Sequence, residues 1–336
     1  MTLSPQAPPH IRYHENTRVL MLDLIVVLLI LYAMAFYYYG SRVAILGSAG
    51  IVTSVLADAL CSKIVGRKPN PRDLSSVATG MLIPLMLPAS APLYLPMIAA
   101  VVAIIIAKHP FGGVGHNVFN PAAVGFSFVA ISFTAQVFSY PAPLSEIITD
   151  GLRVLHYVPD TSSAFTLGLG AIPRFQLVDM ALGNHPGPMG ATNILVIFAC
   201  LLYLIFKGTI RWHIPVSFFI SVSLFTYLFP RMPAPRHMSV AYELMSGMLF
   251  FGGVFLLGDP VTTPKRNLSR IVFGAVCGIV VMLFRNFSLI EEPFAFAILI
   301  MNASAWGMDM FAERFYKIAR RKRVEAFAGK KTQKKA

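Results

Sequence analysis

The chain has 336 residues, of which 56% are hydrophobic and only 13% are charged, and its mean hydropathy is +0.67. Soluble domains carry roughly 25% charged residues, so this composition excludes an ordinary soluble globular protein and indicates a polytopic membrane protein. The formal net charge of +13 would suit nucleic-acid binding, but the basic residues concentrate in short loops and in the stretch 314–335. Such residues fix membrane orientation and contact anionic lipid, so we expect anionic lipid and no nucleic acid as partner.

Ten apolar stretches predict ten transmembrane helices, and the expected fold class is therefore all-α. They cover roughly residues 18–39, 42–62, 75–89, 92–107, 122–139, 189–206, 212–230, 241–258, 269–286 and 293–311. Pro84 and Pro88 in the third span and Pro215 in the seventh are expected to break or kink their helices. An even number of spans places both termini on one side, and most basic residues then lie on that side, which indicates the cytoplasm.

The predicted organisation is a cytoplasmic lead, two five-helix halves, an extracytoplasmic loop between them and a basic cytoplasmic tail. The lead covers residues 1–17 and the tail 312–336. The two halves cover 18–139 and 189–311, and the loop between them covers 140–188. The similar segments Thr79–Leu82 and Ser246–Leu249 lie in the third and eighth spans. Five spans in each half would give the halves opposite orientation, so we expect an inverted 5+5 repeat with re-entrant or broken segments.

The first polar interruption, His109–Gly125, separates two apolar runs and contains several glycines and amides. Glycine allows close approach of the backbone to a bound group, and amides both donate and accept hydrogen bonds. Irregular backbone at membrane depth must be buried in protein or line a cavity. The segment is therefore either a tight re-entry turn or a ligand cradle. The candidate binding residues are Gly113, Gly115, Asn117 and Asn120.

The second interruption, Gly258–Lys265, follows the eighth span at its predicted cytoplasmic end. Its acid and two hydroxyls, Asp259, Thr262 and Thr263, could contact an anion or a polar ring. The same residues are equally typical of a helix stop followed by an N-cap, and on this segment alone the stop is the better interpretation.

Four carboxylates lie in the predicted spans, where an unpaired charge is costly. Asp23 and Asp58 are candidates for an ion path, whereas Glu243 and Asp309 are expected to be structural because solvent or a cationic neighbour is available at span ends. Three cysteines, Cys61, Cys200 and Cys277, are far apart in apolar segments, and we expect buried thiols rather than a metal or iron–sulfur site.

Five motifs stand out along the chain: GGVGHNVFNPAAVG, LGNHPGPMGAT, IRWHIPVSF, GDPVTTP and PFAFAILIMNA. Together they resemble the D subunit of the Rnf ion-translocating electron transport complex, which is homologous to the B subunit of the Na⁺-translocating NADH:quinone reductase. The short lead before the first span favours the Rnf protein, and the resemblance covers nearly the whole chain.

The resemblance implies a ten-helix inverted repeat in the cytoplasmic membrane of a prokaryote. It also implies FMN attached through its phosphate to a threonine of the outer loop, and riboflavin or another second, non-covalent flavin. Iron–sulfur and nicotinamide chemistry would belong to partner subunits, and the complex would move Na⁺ or H⁺.

The flavin attachment motif departs from the family's pattern. The family has roughly S-x-A-T-P-L, whereas an ungapped match here begins Ser162-Ser163 and places Phe165 where the acceptor is expected, with Thr166 one residue later. Thr166 is the candidate acceptor. Thr161 or Ser162 is an alternative, and loss of covalent FMN is another. Thr192, which also follows a small residue, is interpreted as a helix cap.

The function expected is that of a membrane subunit of a ferredoxin:NAD⁺-type oxidoreductase complex, which carries flavin and couples electron transfer to ion movement. The chain alone is not expected to contain a complete active site. Two other classes suit the same spans: a solute channel or transporter of inverted-repeat fold, and a flavin-free structural subunit.

Overall fold

The computed structural model describes residues 17–66, 73–113, 115–144, 176–232, 234–288 and 290–333, with side chains of the last helix to residue 317. Helices dominate these residues. In the first half they are α1 (Thr17–Tyr39), α2 (Arg42–Ile64), α3 (Ser75–Met86), α4 (Tyr94–Val102), α5 (Pro121–Ser132) and α6 (Thr134–Val137). The helix α4 continues as a π-helix, Ala103–Lys108.

The second half begins after a short helix, α7 (Leu177–Leu182). It contains α8 (Ile194–Phe206), α9 (His213–Leu228), α10 (Arg236–Met245), α11 (Leu249–Phe251), α12 (Asn267–Phe287) and α13 (Phe294–Gln333). The helix α11 continues as a π-helix, Gly252–Leu256. A π-helix leaves the regular i→i+4 hydrogen-bond pattern and occurs often at functional sites.

The chain is an all-α polytopic membrane protein, as the sequence predicts. Among the described helices, Thr17–Tyr39, Arg42–Ile64, Asn267–Phe287 and Phe294–Lys317 are long and apolar enough to cross a bilayer, and the bent pair α10–α11 makes five. The five remaining predicted spans coincide with shorter apolar helices. At 1.5 Å per residue a 12-residue helix covers about 18 Å, less than the roughly 30 Å hydrocarbon core. The count of ten crossings therefore stays a prediction.

Broken helices appear where the sequence has helix-breaking residues. The eighth predicted span is bent by 70° between Arg236–Met245 and Leu249–Leu256. The helix α3 ends at Met86, between Pro84 and Pro88, as expected. The prediction for Pro215 was wrong, because α9 begins at His213 and its proline lies in the first turn, where the missing N–H has no helical acceptor.

The sixth span differs from its prediction at its start. The helix α8 begins at Ile194 rather than near residue 189, and its N-cap is Asn193, whose Oδ1 accepts from the backbone N of Val196 at 3.0 Å. The assignment of Thr192 as the cap was therefore wrong by one residue. The preceding backbone is buried and pairs with the end of α3, where Gly190 N donates to Leu85 O at 2.8 Å.

One contact recurs at corresponding places in the two halves. Ser76 lies three residues before Thr79–Leu82 and accepts a hydrogen bond from Lys108, which directly follows the fourth predicted span. Glu243 lies three residues before Ser246–Leu249 and accepts from Arg285 near the end of the ninth. This correspondence agrees with the expected inverted repeat, which stays a prediction.

Candidate functional site

The two polar interruptions meet at one cavity, whose empty space, open solvent included, is about 730 Å³. The first interruption contributes Asn117, Asn120 and Pro121, and the second contributes Gly258–Val261. The other walls come from the first and third predicted spans, from the residue directly after the fourth, and from the chain around residues 204–210 and 255. They are Leu20, Met21, Leu24, Ser75, Ala78, Thr79, Leu82, Lys108, Leu204, Thr209, Ile210 and Phe255. The walls are mostly apolar, with polar groups clustered at the interruptions.

Asn120 joins the two interruptions. Its Oδ1 accepts from the backbone N of Ala122 and Ala123, at 3.0 and 3.2 Å, and so caps α5. Its Nδ2 donates to Leu256 O at 3.3 Å and to Asp259 Oδ2 at 3.4 Å. An asparagine can do both because it carries an acceptor and two donors, and it is an effective N-cap.

Asp259 lies just beyond the helical part of the eighth span and lines the cavity. Its carboxylate accepts from the backbone N of Val261 at 3.1 Å and from the Thr262 hydroxyl at 3.2 Å. Burial raises the pKa of this carboxyl above its ordinary value, and the two hydrogen bonds oppose the rise. The segment thus combines the expected helix stop with a carboxyl group directed at a cavity.

The remaining candidates of the interruptions lie elsewhere. Thr262, Thr263, Gly113 and Gly115 are not among the residues that line the cavity. Gly113 and Gly115 have φ values of 93° and 86°, a left-handed region that side chains rarely adopt. A turn therefore explains why glycine occupies these two positions. Asn117 and Asn120, by contrast, line the cavity.

Asp23 lies beside the cavity. It accepts hydrogen bonds from the hydroxyls of Tyr203, at 3.4 Å, and Thr209, at 3.3 Å. Thr209 also lines the cavity, so one hydroxyl connects this carboxylate to the cavity wall.

Asp58 belongs to a compact polar group that the sequence did not indicate as a unit. Lys108 Nζ lies 3.0 Å from Asp58 Oδ1 and 2.9 Å from Asp73 Oδ2, and it donates to Ser76 Oγ at 2.9 Å. His109 Nε2 lies 2.8 Å from the same oxygen of Asp58. Lys108 is buried and lines the cavity, whereas by sequence it counted only among the basic residues of the loops. The sequence feature that could have indicated this role is the position of Lys108, at the end of an apolar run and directly before a glycine-rich interruption.

A second buried ion network lies at the predicted opposite side of the membrane. Glu243 Oε1 lies 2.6 Å from Arg231 and 2.7 Å from Arg285, and Arg285 also donates to the backbone carbonyl of Ser246 at 3.0 Å. Glu292 accepts from the backbone N of Met248. The network satisfies backbone groups freed by the break of the eighth span, in agreement with a structural role for Glu243.

Asp309 accepts from the backbone N of Lys265 and Arg266, at 2.8 and 3.3 Å, which agrees with its structural interpretation. Cys200 and Cys277 are buried as expected, whereas Cys61 is only partly buried. Thr161, Ser162, Ser163, Phe165 and Thr166 of the outer loop lie outside the described residues.

Fold and cavity together define a polytopic helical membrane protein with a mostly apolar cavity between two polar interruptions. The NQR2, RnfD, RnfE family matches residues 4–317, and this chain belongs to that family.

Curated relatives agree over most of their length. The chain is 33% identical over 306 aligned residues to the D subunit of the ion-translocating oxidoreductase complex of Cronobacter sakazakii, with 82% of this chain and 87% of the relative covered. It is 28% identical over 325 residues to the D subunit of the Na⁺-translocating ferredoxin:NAD⁺ oxidoreductase complex of Acetobacterium woodii, covering 96% and 98%. The corresponding protein of Escherichia coli O17:K52:H18, also the D subunit of an ion-translocating oxidoreductase complex, is 31% identical over 308 residues, covering 82% and 86%.

Proposed function

We propose that this chain is the flavin-carrying membrane subunit of an ion-translocating oxidoreductase complex of the ferredoxin:NAD⁺ type. The family and the names of the relatives support the complex and the membrane subunit. The cavity formed by both interruptions is the observation that supports a flavin in this chain.

The residues present suit a flavin ring. The cavity is lined mainly by apolar side chains with a few clustered polar groups, as small-molecule sites usually are. Apolar walls suit the flat ring system, and its pyrimidine edge needs donors for two carbonyl oxygens and an acceptor for one N–H. Asn117 Oδ1 is buried without a hydrogen-bond partner among the described residues, and it is a suitable acceptor. Asn120 and Lys108 also carry N–H donors at this cavity, which pair with protein acceptors in the present conformation.

Two flavin positions follow from the predicted topology. The cavity lies near the predicted cytoplasmic ends of the spans, and it would hold the non-covalent flavin, such as riboflavin. FMN would be attached at Thr166 in the outer loop, on the other side of the membrane. A bound flavin supplies one- and two-electron transfer. The protein residues position the ring, exclude water through the apolar walls and place Asp259 and Lys108 beside it.

Partners follow from the same proposal. Electrons would enter and leave through iron–sulfur and flavin subunits of the complex, because this chain is not expected to hold a complete active site. The tail beyond the last predicted span is basic, with Arg320, Arg321, Lys322 and Arg323 in sequence, and would contact anionic lipid of the cytoplasmic membrane. The translocated ion would be Na⁺ or H⁺.

The test is flavin analysis of the purified complex. In-gel fluorescence that survives denaturation reports the covalent FMN, and acid extraction releases the non-covalent flavin. Thr166→Val should abolish the gel signal and leave the extractable flavin, whereas Thr161→Val, the matched control, should leave both. Persistent fluorescence in Thr166→Val would show that the acceptor is another residue. Absence of both flavins would favour a channel, or a structural subunit if the complex still assembles.

A further inference from the structure

We propose that Asp58, Asp73 and Ser76 form a binding site for a small monovalent cation, and that the ammonium of Lys108 occupies this site in the present conformation. The inference deepens the proposed ion translocation: it names a site on this chain and the residue that competes with the ion.

The contacts of Lys108 support this assignment. An ammonium has three N–H donors, and here they meet two carboxylates and one hydroxyl at 2.9 to 3.0 Å. All acceptors are oxygen atoms, and oxygen is the ligand that hard cations prefer. The Lys108 side chain is only 3% exposed, so the ammonium has exchanged water for these oxygens.

Polar atoms around the group remain unpaired. His109 hydrogen bonds with Asp58, and although its side chain is only 9% exposed, its Nδ1 is buried without a partner among the described residues. Ser75 Oγ, which is adjacent in sequence and belongs to the cavity lining, is also buried and unpartnered. Buried polar atoms normally have hydrogen-bond partners, so both atoms are available to water or to a ligand next to the group.

The cavity gives Lys108 a second position. Lysine is a point charge on a flexible four-carbon stem, and Lys108 lines the cavity. When the cavity gains negative charge, the Lys108 ammonium is attracted into the cavity and leaves Asp58 and Asp73. One cation from the cytoplasm then binds between these two carboxylates. The exchange replaces one monovalent cation by another, so the charge of the group does not change.

Arg285, at the corresponding place of the second half, differs from Lys108 in that it is held by fixed contacts. Its guanidinium binds the Glu243 carboxylate and both the hydroxyl and the carbonyl of Ser246. A rigid, always charged fork with several fixed acceptors cannot leave without uncovering buried charges, so this cluster is a structural clamp.

The test removes the tethered cation. Lys108→Met leaves two carboxylates facing each other, and its melting temperature in detergent should rise by several degrees when choline chloride is replaced by about 100 mM NaCl at constant ionic strength. The wild-type protein should respond little, because the ammonium already occupies the site. Lys63→Met, a change at an exposed lysine on α2, should behave like the wild type.

The double variant Lys108→Met/Asp58→Asn should lose the response to Na⁺ while remaining folded. A folded Lys108→Met protein with equal melting temperatures in both salts would overturn the proposal. If Lys108→Met is not recovered in choline, recovery in NaCl alone supports the site, and recovery in neither salt overturns it. The readout is stability rather than flavin content or transport, so failure of this inference and failure of the proposed function are distinguishable.

Discussion

Asn120 and Asp259 are 139 residues apart in the chain, yet Nδ2 of Asn120 lies 3.4 Å from Oδ2 of Asp259. This contact joins the start of α5 to the segment after the eighth predicted span, and both residues line the cavity. A single amide therefore connects the two interruptions that the proposed flavin would contact.

Asn120→Ala should reduce both stability and bound flavin. It removes the cap that accepts from Ala122 and Ala123, at a cost of about 0.5–2 kcal/mol, and it also removes a donor from the cavity. Asn193→Ala is the matched control, since it removes the cap of α8 without touching the cavity lining. Melting temperature and acid-extractable flavin measure the two effects. Equal flavin loss in both variants would contradict a specific role of Asn120.

Asp259→Asn should stabilise the protein in a pH-dependent way. Burial raises the pKa of Asp259, so the folded state disfavours its charged form, and wild-type stability falls as pH rises from the ordinary aspartate pKa through the raised value. Asparagine does not titrate. The variant's melting temperature should exceed that of the wild type at neutral pH, and the difference should shrink as the pH is lowered.

Asp309→Asn is the control for this pH series. Its carboxylate accepts from two backbone N–H groups, so neutralisation weakens charge-assisted hydrogen bonds and should lower the melting temperature at neutral pH. If the difference in melting temperature between Asp259→Asn and the wild type does not change with pH, burial of the Asp259 charge is not the cause of the stabilisation.

Arg285→Met should be strongly destabilising, by about 3–5 kcal/mol, because it leaves buried carboxylate charge incompletely paired. Arg266→Met is the comparison: Arg266 and Glu313 are 40% and 46% exposed and lie 3.7 Å apart, so solvent screens this pair and its loss should matter far less. Thermal unfolding of both variants in the same detergent measures the difference. Similar losses would show that the network at the broken helix is not the clamp described.

Gly125→Ala should disturb the packing of α5 on α4. A Cβ at Gly125 would lie 2.3 Å from the carbonyl oxygen of Ala99, so one helix must move; overpacking typically costs about 1–3 kcal/mol. At Gly307 a Cβ meets nothing within 4 Å, and Gly307→Ala should be neutral or stabilising because alanine has the higher helix propensity. A shift of α5 also moves Asn120, so Gly125→Ala should lower flavin retention as well.

Periodicity and breaker residues predicted much of the helix pattern. Within the part of the chain that the structure describes, apolar runs located each helix that is long and apolar enough to cross a membrane, because burial in lipid requires continuous apolar sequence. Proline is suited to the first turn of a helix, and α5 begins at Pro121, one residue before the predicted fifth span. Cap assignment failed at Thr192, because Asn193 also satisfies the cap pattern and only backbone geometry distinguishes the two.

The amino-acid sequence by itself determined the membrane class, the positions of the two interruptions and the residue types within them, since these depend on local composition. Only the tertiary structure decided that the interruptions share one cavity and that Lys108 pairs with Asp58 and Asp73. Those contacts join residues 35 to 139 positions apart. Their partners are selected by helix packing, in which any of several apolar faces could satisfy the same sequence pattern.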